Sequence, residues 1–142
     1  MMYLANSFWA PLAKQMRAAD GFGRLIGWGF MDQRECLDAL LVAASDAMPN
    51  ADPSGRRMVM AHALRDAVQD WNVARDRALA QIRRELRPLL DARRPAAELV
   101  NAAQEINRGH RRALLRVEVE DAVRDVIASR LRAMQWEERQ AR

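Results

Sequence analysis

The chain has 142 residues, of which 50% are hydrophobic, and it carries a net charge of +4 at pH 7. A chain of this length fits one domain whose core needs neither disulfides nor metals to fold. Cys36 is the single cysteine, which excludes an internal disulfide and favours a reducing, cytoplasmic location. Polar residues interrupt the apolar ones near the N-terminus, so we expect neither a signal peptide nor a membrane span.

The positive charge is concentrated in the middle of the chain. Residues 1–50 carry a net charge of −1, residues 51–95 carry +4, and residues 96–142 carry +1. A basic surplus of this size permits contact with nucleic acid without requiring it.

The sequence predicts an all-α fold, because period-two alternation is absent and the helix-favouring residues Ala, Leu, Arg and Glu dominate. Ser7 fits a helix N-cap, and Pro11 then falls in the first turn, where a missing N–H costs little. These residues predict a first helix over about 8–19. Gly21 and Gly23 are expected to end it.

Two further helices follow. Asp32 and Glu35 form a capping-box pattern, which predicts a helix over residues 33–48. A loop rich in turn residues follows over 49–55. Residues 56–87 contain neither Gly nor Pro and repeat apolar residues at three- and four-residue steps, which predicts one long helix.

The last part of the chain is expected to fold back on this long helix. Pro88 and Pro95 are predicted to bracket a turn, and Pro95 is well placed to open a final helix. That helix is predicted to extend toward Trp136, with a possible break at Gly109. Residues 56–138 are therefore expected to form an antiparallel helical hairpin.

The predicted architecture is a single all-helical domain over residues 1–142, with a short N-terminal helical layer (residues 1–50) packed on the hairpin. The final helix is apolar on both sides over residues 113–127, which indicates burial between two partners. The partners are expected to be the long helix and either the N-terminal helices or a second copy in a homodimer. The second apolar face consists of Leu115, Val119, Ala122 and Val126.

A cluster of arginines at the tip of the hairpin is the main candidate binding site. The cluster consists of Arg83, Arg84, Arg87, Arg93 and Arg94. Guanidinium groups can clamp phosphates or an acidic protein surface. The alternative is a solvated helix end, and no aromatic residue interleaves with these arginines.

A second arginine group surrounds Gly109 and has two possible roles. Its members are Arg108, Arg111, Arg112 and Arg116. The group either extends the basic surface or pairs across the hairpin with three aspartates, and the pairing is the favoured role. Those aspartates are Asp66, Asp70 and Asp76.

Three carboxylates on the final helix, Glu118, Asp121 and Asp125, lie on one face. Such a row could bind a divalent cation, but ion pairing across the hairpin is favoured. In the register expected for the hairpin, the pairing arginines are Arg57 and Arg65.

The histidines and two of the tryptophans complete the set of candidates. His62 and His110 lack partners at metal-site spacing, and His110 falls on an apolar stripe, which favours a core role. Trp28 and Trp136 are the aromatic residues most expected to be exposed, where they would serve as contacts for a partner.

Residues 23–71 contain a run of short motifs. The motifs are Gly27-Trp28-Gly29-Phe30, Asp32, Ala39-Leu40-Leu41 and Ala43-Ala44. With the Ala/Arg-rich helix that follows, this pattern resembles the small helical module that follows the catalytic domain in phage and plasmid primases. The chain departs from that pattern at residues 62–67, which lack the expected Thr and Gly. The resemblance implies association with replication or DNA and implies no active-site residue.

The sequence therefore predicts a non-enzymatic interaction protein, without cofactor, metal or membrane contact. One expected role is a phage or mobile-element accessory factor that binds and modulates a host nucleic-acid-processing protein. The alternative is a replication accessory module that binds nucleic acid directly through the arginine-rich tip.

Overall fold

The computed structural model describes the backbone of residues 2–142 and the side chains of residues 10–142. In this part of the chain there are five α-helices and no β-strand, which confirms the all-α prediction. The helices are α1 (Met2–Gly27), α2 (Gln33–Ala47), α3 (Pro53–Asp91), α4 (Ala96–Gly109) and α5 (Arg116–Ala141). Within the same range, no helix combines the length and the apolar character needed to cross a bilayer.

Helix α1 is longer than predicted, because it continues through Gly21 and Gly23 to Gly27. The prediction that these glycines end the helix is wrong, and the reason lies in tertiary packing. A Cβ atom on Gly23 would lie 2.7 Å from the carbonyl carbon of Ala67 in α3. Gly23 therefore allows two helix backbones to approach closely. The predicted start at Ser7 is also wrong, because α1 begins at Met2 and both Ser7 and Pro11 lie inside the helix.

The end of α1 forms a cluster of aromatic rings around Arg24. The Cζ atom of Arg24 lies 4.5 Å from the ring centroid of Trp71 and 5.5 Å from that of Trp28. The two indoles meet edge to face, with 5.8 Å between their centroids. A Cβ atom on Gly27 would lie 2.6 Å from Cδ1 of Trp71, so this glycine makes room for the indole.

Helix α2 begins as predicted, because the carboxylate of Asp32 accepts hydrogen bonds from the backbone N–H groups of Arg34 and Glu35. Its apolar face packs with α1 and the first part of α3. The buried residues of this core are Ala19, Cys36, Leu40, Ala44, Met60 and Leu64.

Helix α3 extends beyond both predicted ends. At its start, the Asp52 carboxylate accepts a hydrogen bond of 3.1 Å from the N–H of Gly55. Pro88 lies in the last turn of the helix and does not bracket the turn, because its fixed φ is compatible with helical backbone. The helix ends at Asp91, and Arg93 then adopts a positive φ of 57°, which turns the chain away.

The chain divides into two compact units: an N-terminal unit that ends at Asn72 and a C-terminal unit that begins at Val73. Helix α3 contributes to both. The core of the C-terminal unit contains residues from α3, α4, α5 and the α4–α5 connection. Its buried residues are Ala78, Ile82, Leu86, Leu99, Ala103, Ile106, Leu114, Val119, Ala122 and Val123.

The expected break at Gly109 is present, and it separates α4 from α5. Arg111 and Arg112 adopt positive φ angles of 61° and 52°, so the chain reverses here. The buried amide of Asn107 holds the connection: its Nδ2 donates to the carbonyl of Leu114 at 2.9 Å, and its Oδ1 accepts from the N–H of Leu114 at 3.0 Å.

The reversal gives α5 a direction that differs from the predicted hairpin. Three side-chain contacts with α3 define the directions: His110 with Gln81, Arg75 with Glu118, and Arg130 with Asp91. Helix α4 therefore runs antiparallel to α3, whereas α5 runs in the same direction as α3. The second arm of the predicted hairpin is thus two helices, and the C-terminal unit is a three-helix bundle.

Candidate functional site

A groove of about 520 Å³ lies between the C-terminal part of α3 and the middle of α5. We call it the arginine groove. Its lining residues are Arg83, Arg87, Leu90, Asp125, Val126, Ala128, Ser129, Arg130, Arg132 and Ala133.

Helical periodicity positions the basic side chains of the groove. Arg83 and Arg87 are one turn apart on α3, and each directly follows a buried residue, Ile82 or Leu86. Residues that follow the core positions of a helix lie at the edge of its buried face. The arginine stems can therefore lie along the helix surface while the guanidinium groups remain in water.

The groove carries an excess of positive charge. Arg130 is neutralised, because its Nε lies 2.9 Å from Oδ1 of Asp91. Arg83, Arg87 and Arg132 form no ion pair with any carboxylate in the part of the chain that the structure describes. Three guanidinium groups are thus available to an anionic ligand.

The other members of the predicted arginine cluster lie outside the groove lining. Arg84 is exposed on α3, and Arg93 is exposed in the turn that follows it. Arg94 lies 3.7 Å from the carboxylate of Glu98, in an exposed pair within one turn of chain. Of the five clustered arginines, the fold therefore brings two into the groove.

The groove also contains three residues that the sequence pattern did not indicate: Ser129, Arg130 and Arg132. In the predicted register, the last part of α5 lay far from Arg83 and Arg87. The ion pair of Arg130 with the end of α3 shows that α5 runs the other way. The available signal was the three-residue spacing of Ser129 and Arg132, which places both on one side of a helix.

The second apolar face of α5 is covered within the C-terminal unit. Val119 and Ala122 are buried in its core, while Leu115 and Val126 are half-buried. Helices α3 and α4 supply the covering side chains, so this face does not require a second copy of the chain.

The two predicted contact tryptophans have different surroundings. Trp28 is half-buried and belongs to the cluster around Arg24. Trp136 is 61% exposed, near the end of α5.

The row of carboxylates on α5 is divided among separate contacts. Glu118 pairs with Arg75, which corrects the predicted pairing with Arg57 and Arg65. Asp121 lies 3.3 Å from Arg124 on its own helix. Asp125 lines the arginine groove. No group of three metal-ligating side chains comes together among the described residues.

The arginines around Gly109 also pair locally. Nη1 of Arg108 lies 2.6 Å from Glu105, and Nε of Arg116 lies 3.5 Å from Glu120. Both partners are on the same helix as the arginine. For Arg108 and Arg116, this finding replaces the predicted pairing with the aspartates of the long helix.

The two histidines and the cysteine lie in separate surroundings. His110 is half-buried against Gln81, and His62 is exposed on α3. Burial raises the pKa of the Cys36 thiol, and the charges of Asp32 and Glu35 raise it further. A thiol with a raised pKa is a poor nucleophile at neutral pH.

Comparison of the chain with protein-family models, curated proteins and solved structures gives no match. The resemblance of residues 23–71 to the helical module of primases therefore stays a prediction.

Proposed function

We propose that this protein acts by binding, and that the arginine groove holds the phosphates of a nucleic acid. The observation that carries the proposal is the set of three unpaired guanidinium groups, from Arg83, Arg87 and Arg132, in one groove. A guanidinium group donates two parallel hydrogen bonds to a phosphate, which makes arginine well suited to phosphate binding.

The distribution of charge between the units supports a polyanionic ligand. The C-terminal unit contains 16 arginines against 11 acidic residues, a net charge of +5. The N-terminal unit contains seven basic residues against eight acidic ones, a net charge of −1. The unit that contains the groove therefore carries all of the net positive charge, which attracts a repeating phosphate backbone at long range.

A protein partner is the competing hypothesis, including the host nucleic-acid-processing protein of an accessory factor. Protein interfaces usually have an apolar, desolvated centre. On α5, the apolar residues expected to form such a centre, Val119 and Ala122, are buried in the core of their own unit. The three unpaired guanidinium groups of the groove favour nucleic acid. The resemblance to primase modules points in the same direction, because it implies association with DNA.

The decisive experiment compares two triple variants of the full chain in fluorescence-anisotropy titrations with labelled DNA and RNA. The first, the groove variant, carries Arg83→Ala, Arg87→Ala and Arg132→Ala. We expect the wild-type affinity to fall with salt, because each phosphate contact contributes about 0.7 to the slope of log K against log salt for single strands. Three contacts correspond to a loss of about 20-fold between 50 and 200 mM salt. The groove variant is expected to bind more weakly at 50 mM salt and to lose this salt dependence.

The second variant is a matched control that removes the same net charge elsewhere. It carries alanine at Arg108, Arg116 and Arg124, each of which pairs with a carboxylate on its own helix. We expect it to bind nearly as the wild type does. If both variants lose affinity equally, binding depends on net charge alone, and the proposal is overturned. An absence of binding by the wild type at 50 mM salt would also overturn it and favour a protein partner.

A further inference from the structure

This inference rests on the proposed function. We infer that the nucleic acid is single-stranded, and that Trp136 stacks on a base beside the phosphates held in the arginine groove. Trp136 is 61% exposed, and no aromatic ring among the described side chains packs against it.

Helix geometry places Trp136 on the side of α5 that faces the groove. It follows Ala133 by three residues and Arg132 by four, and both of those residues line the groove. At about 100° per residue, Trp136 lies about 60° from the first and 40° from the second around the helix. At about 1.5 Å per residue, it is roughly 6 Å further along the axis than Arg132. The indole therefore lies one turn beyond the basic lining.

An indole next to unpaired arginines matches the chemistry of a single strand. Proteins that bind single strands combine a positively charged groove with aromatic side chains on which bases stack, and each stacked base strengthens binding by about tenfold. In a duplex, the base faces are covered by their neighbours within the helix. A duplex would thus offer phosphates to the groove but no base face to Trp136.

Exposure of Trp136 also makes it suitable for mutation, because few packing contacts are lost. Ser129 lies two turns earlier on the same side of α5, and it supplies a hydroxyl group to the groove lining. Leu131 is 54% exposed on the same helix but lies about 140° away from Trp136, which makes it a matched control.

The test compares Trp136→Ala, Trp136→Phe and Leu131→Ala in the full chain. Each is titrated at low and at moderate salt with a single-stranded oligonucleotide and with a loop-free duplex of equal length. We expect Trp136→Ala to weaken single-strand binding about tenfold while duplex binding and the salt slope stay unchanged. Trp136→Phe should retain most of the affinity, and Leu131→Ala should bind as the wild type does.

A second readout is the quenching of tryptophan emission by the single strand, which should disappear in Trp136→Phe. Stacking by Trp136 is overturned if Trp136→Ala binds single strands as tightly as the wild type, or if it loses single-strand and duplex binding equally. In either case, the wild type would still show the salt-dependent binding that the groove arginines provide. Failure of the proposed function is distinct, because the wild type itself would then show no salt-dependent binding.

Discussion

Asn107→Ala is expected to destabilise the C-terminal unit more than any surface change on α4. Asn107 is 6% exposed, and its amide makes both hydrogen bonds of the Leu114 backbone described above. Leu114 is only 3% exposed, so water has little access to the groups that the variant leaves unpaired.

The magnitude follows from those two orphaned groups. Leaving a buried backbone N–H or C=O without a partner costs about 1–3 kcal/mol, so the loss of both bonds is expected to lower the free energy of unfolding by about 2–6 kcal/mol. The matched control is Asn101→Ala, which changes the same residue type at an exposed position of α4. The control is expected to stay within about 0.5 kcal/mol of the wild type.

Urea unfolding followed by circular dichroism, together with hydrogen exchange at the Leu114 amide, measures this effect. The variant should unfold at lower urea, and the Leu114 amide should lose protection. If Asn107→Ala and Asn101→Ala are equally stable, the connection between α4 and α5 does not depend on the Asn107 amide, and the reasoning is refuted.

Two further predictions concern the N-terminal unit. Gly23→Ala should lower the free energy of unfolding by about 1–3 kcal/mol, because its Cβ atom would clash with the backbone of Ala67. Gly21 has open space around it, so Gly21→Ala should raise the free energy of unfolding by up to about 1 kcal/mol. Thermal unfolding should therefore place the two variants on opposite sides of the wild type. Burial raises the pKa of Cys36 above its ordinary value of 9.0, so above about pH 9 the unfolded chain loses this proton more readily than the folded chain, and stability falls. Urea unfolding from pH 7 to 10 should show this decline in the wild type and a weaker one in Cys36→Ala, and parallel curves would contradict it.

Local sequence signals predicted the parts of the fold that depend on local contacts. The Asp32 cap and the break after Gly109 are both present, because capping and glycine act over a few residues. The end of α1 was wrong, since the close approach of Gly23 to Ala67 joins residues distant in the chain. A pattern of glycines alone does not distinguish a helix end from a helix crossing.

The candidate site was predicted only in part for the same reason. Arg83 and Arg87 were visible as neighbours on one helix. Arg132 joins them because residues 110–115 reverse the chain and send α5 back along α3. That reversal depends on the bonds between Asn107 and Leu114, which have no clear signature in the sequence.

Photo-crosslinking tests most directly whether a nucleic acid lies in the arginine groove. A single-stranded oligonucleotide with photoreactive thymidine analogues would be bound to the full chain at 50 mM salt and irradiated, and the crosslinked peptides would be mapped by mass spectrometry. We predict crosslinks within residues 83–90 of α3 and 125–136 of α5, and their loss in the groove variant. Crosslinks confined to the N-terminal unit, or a pattern unchanged in the groove variant, would contradict the proposed binding site.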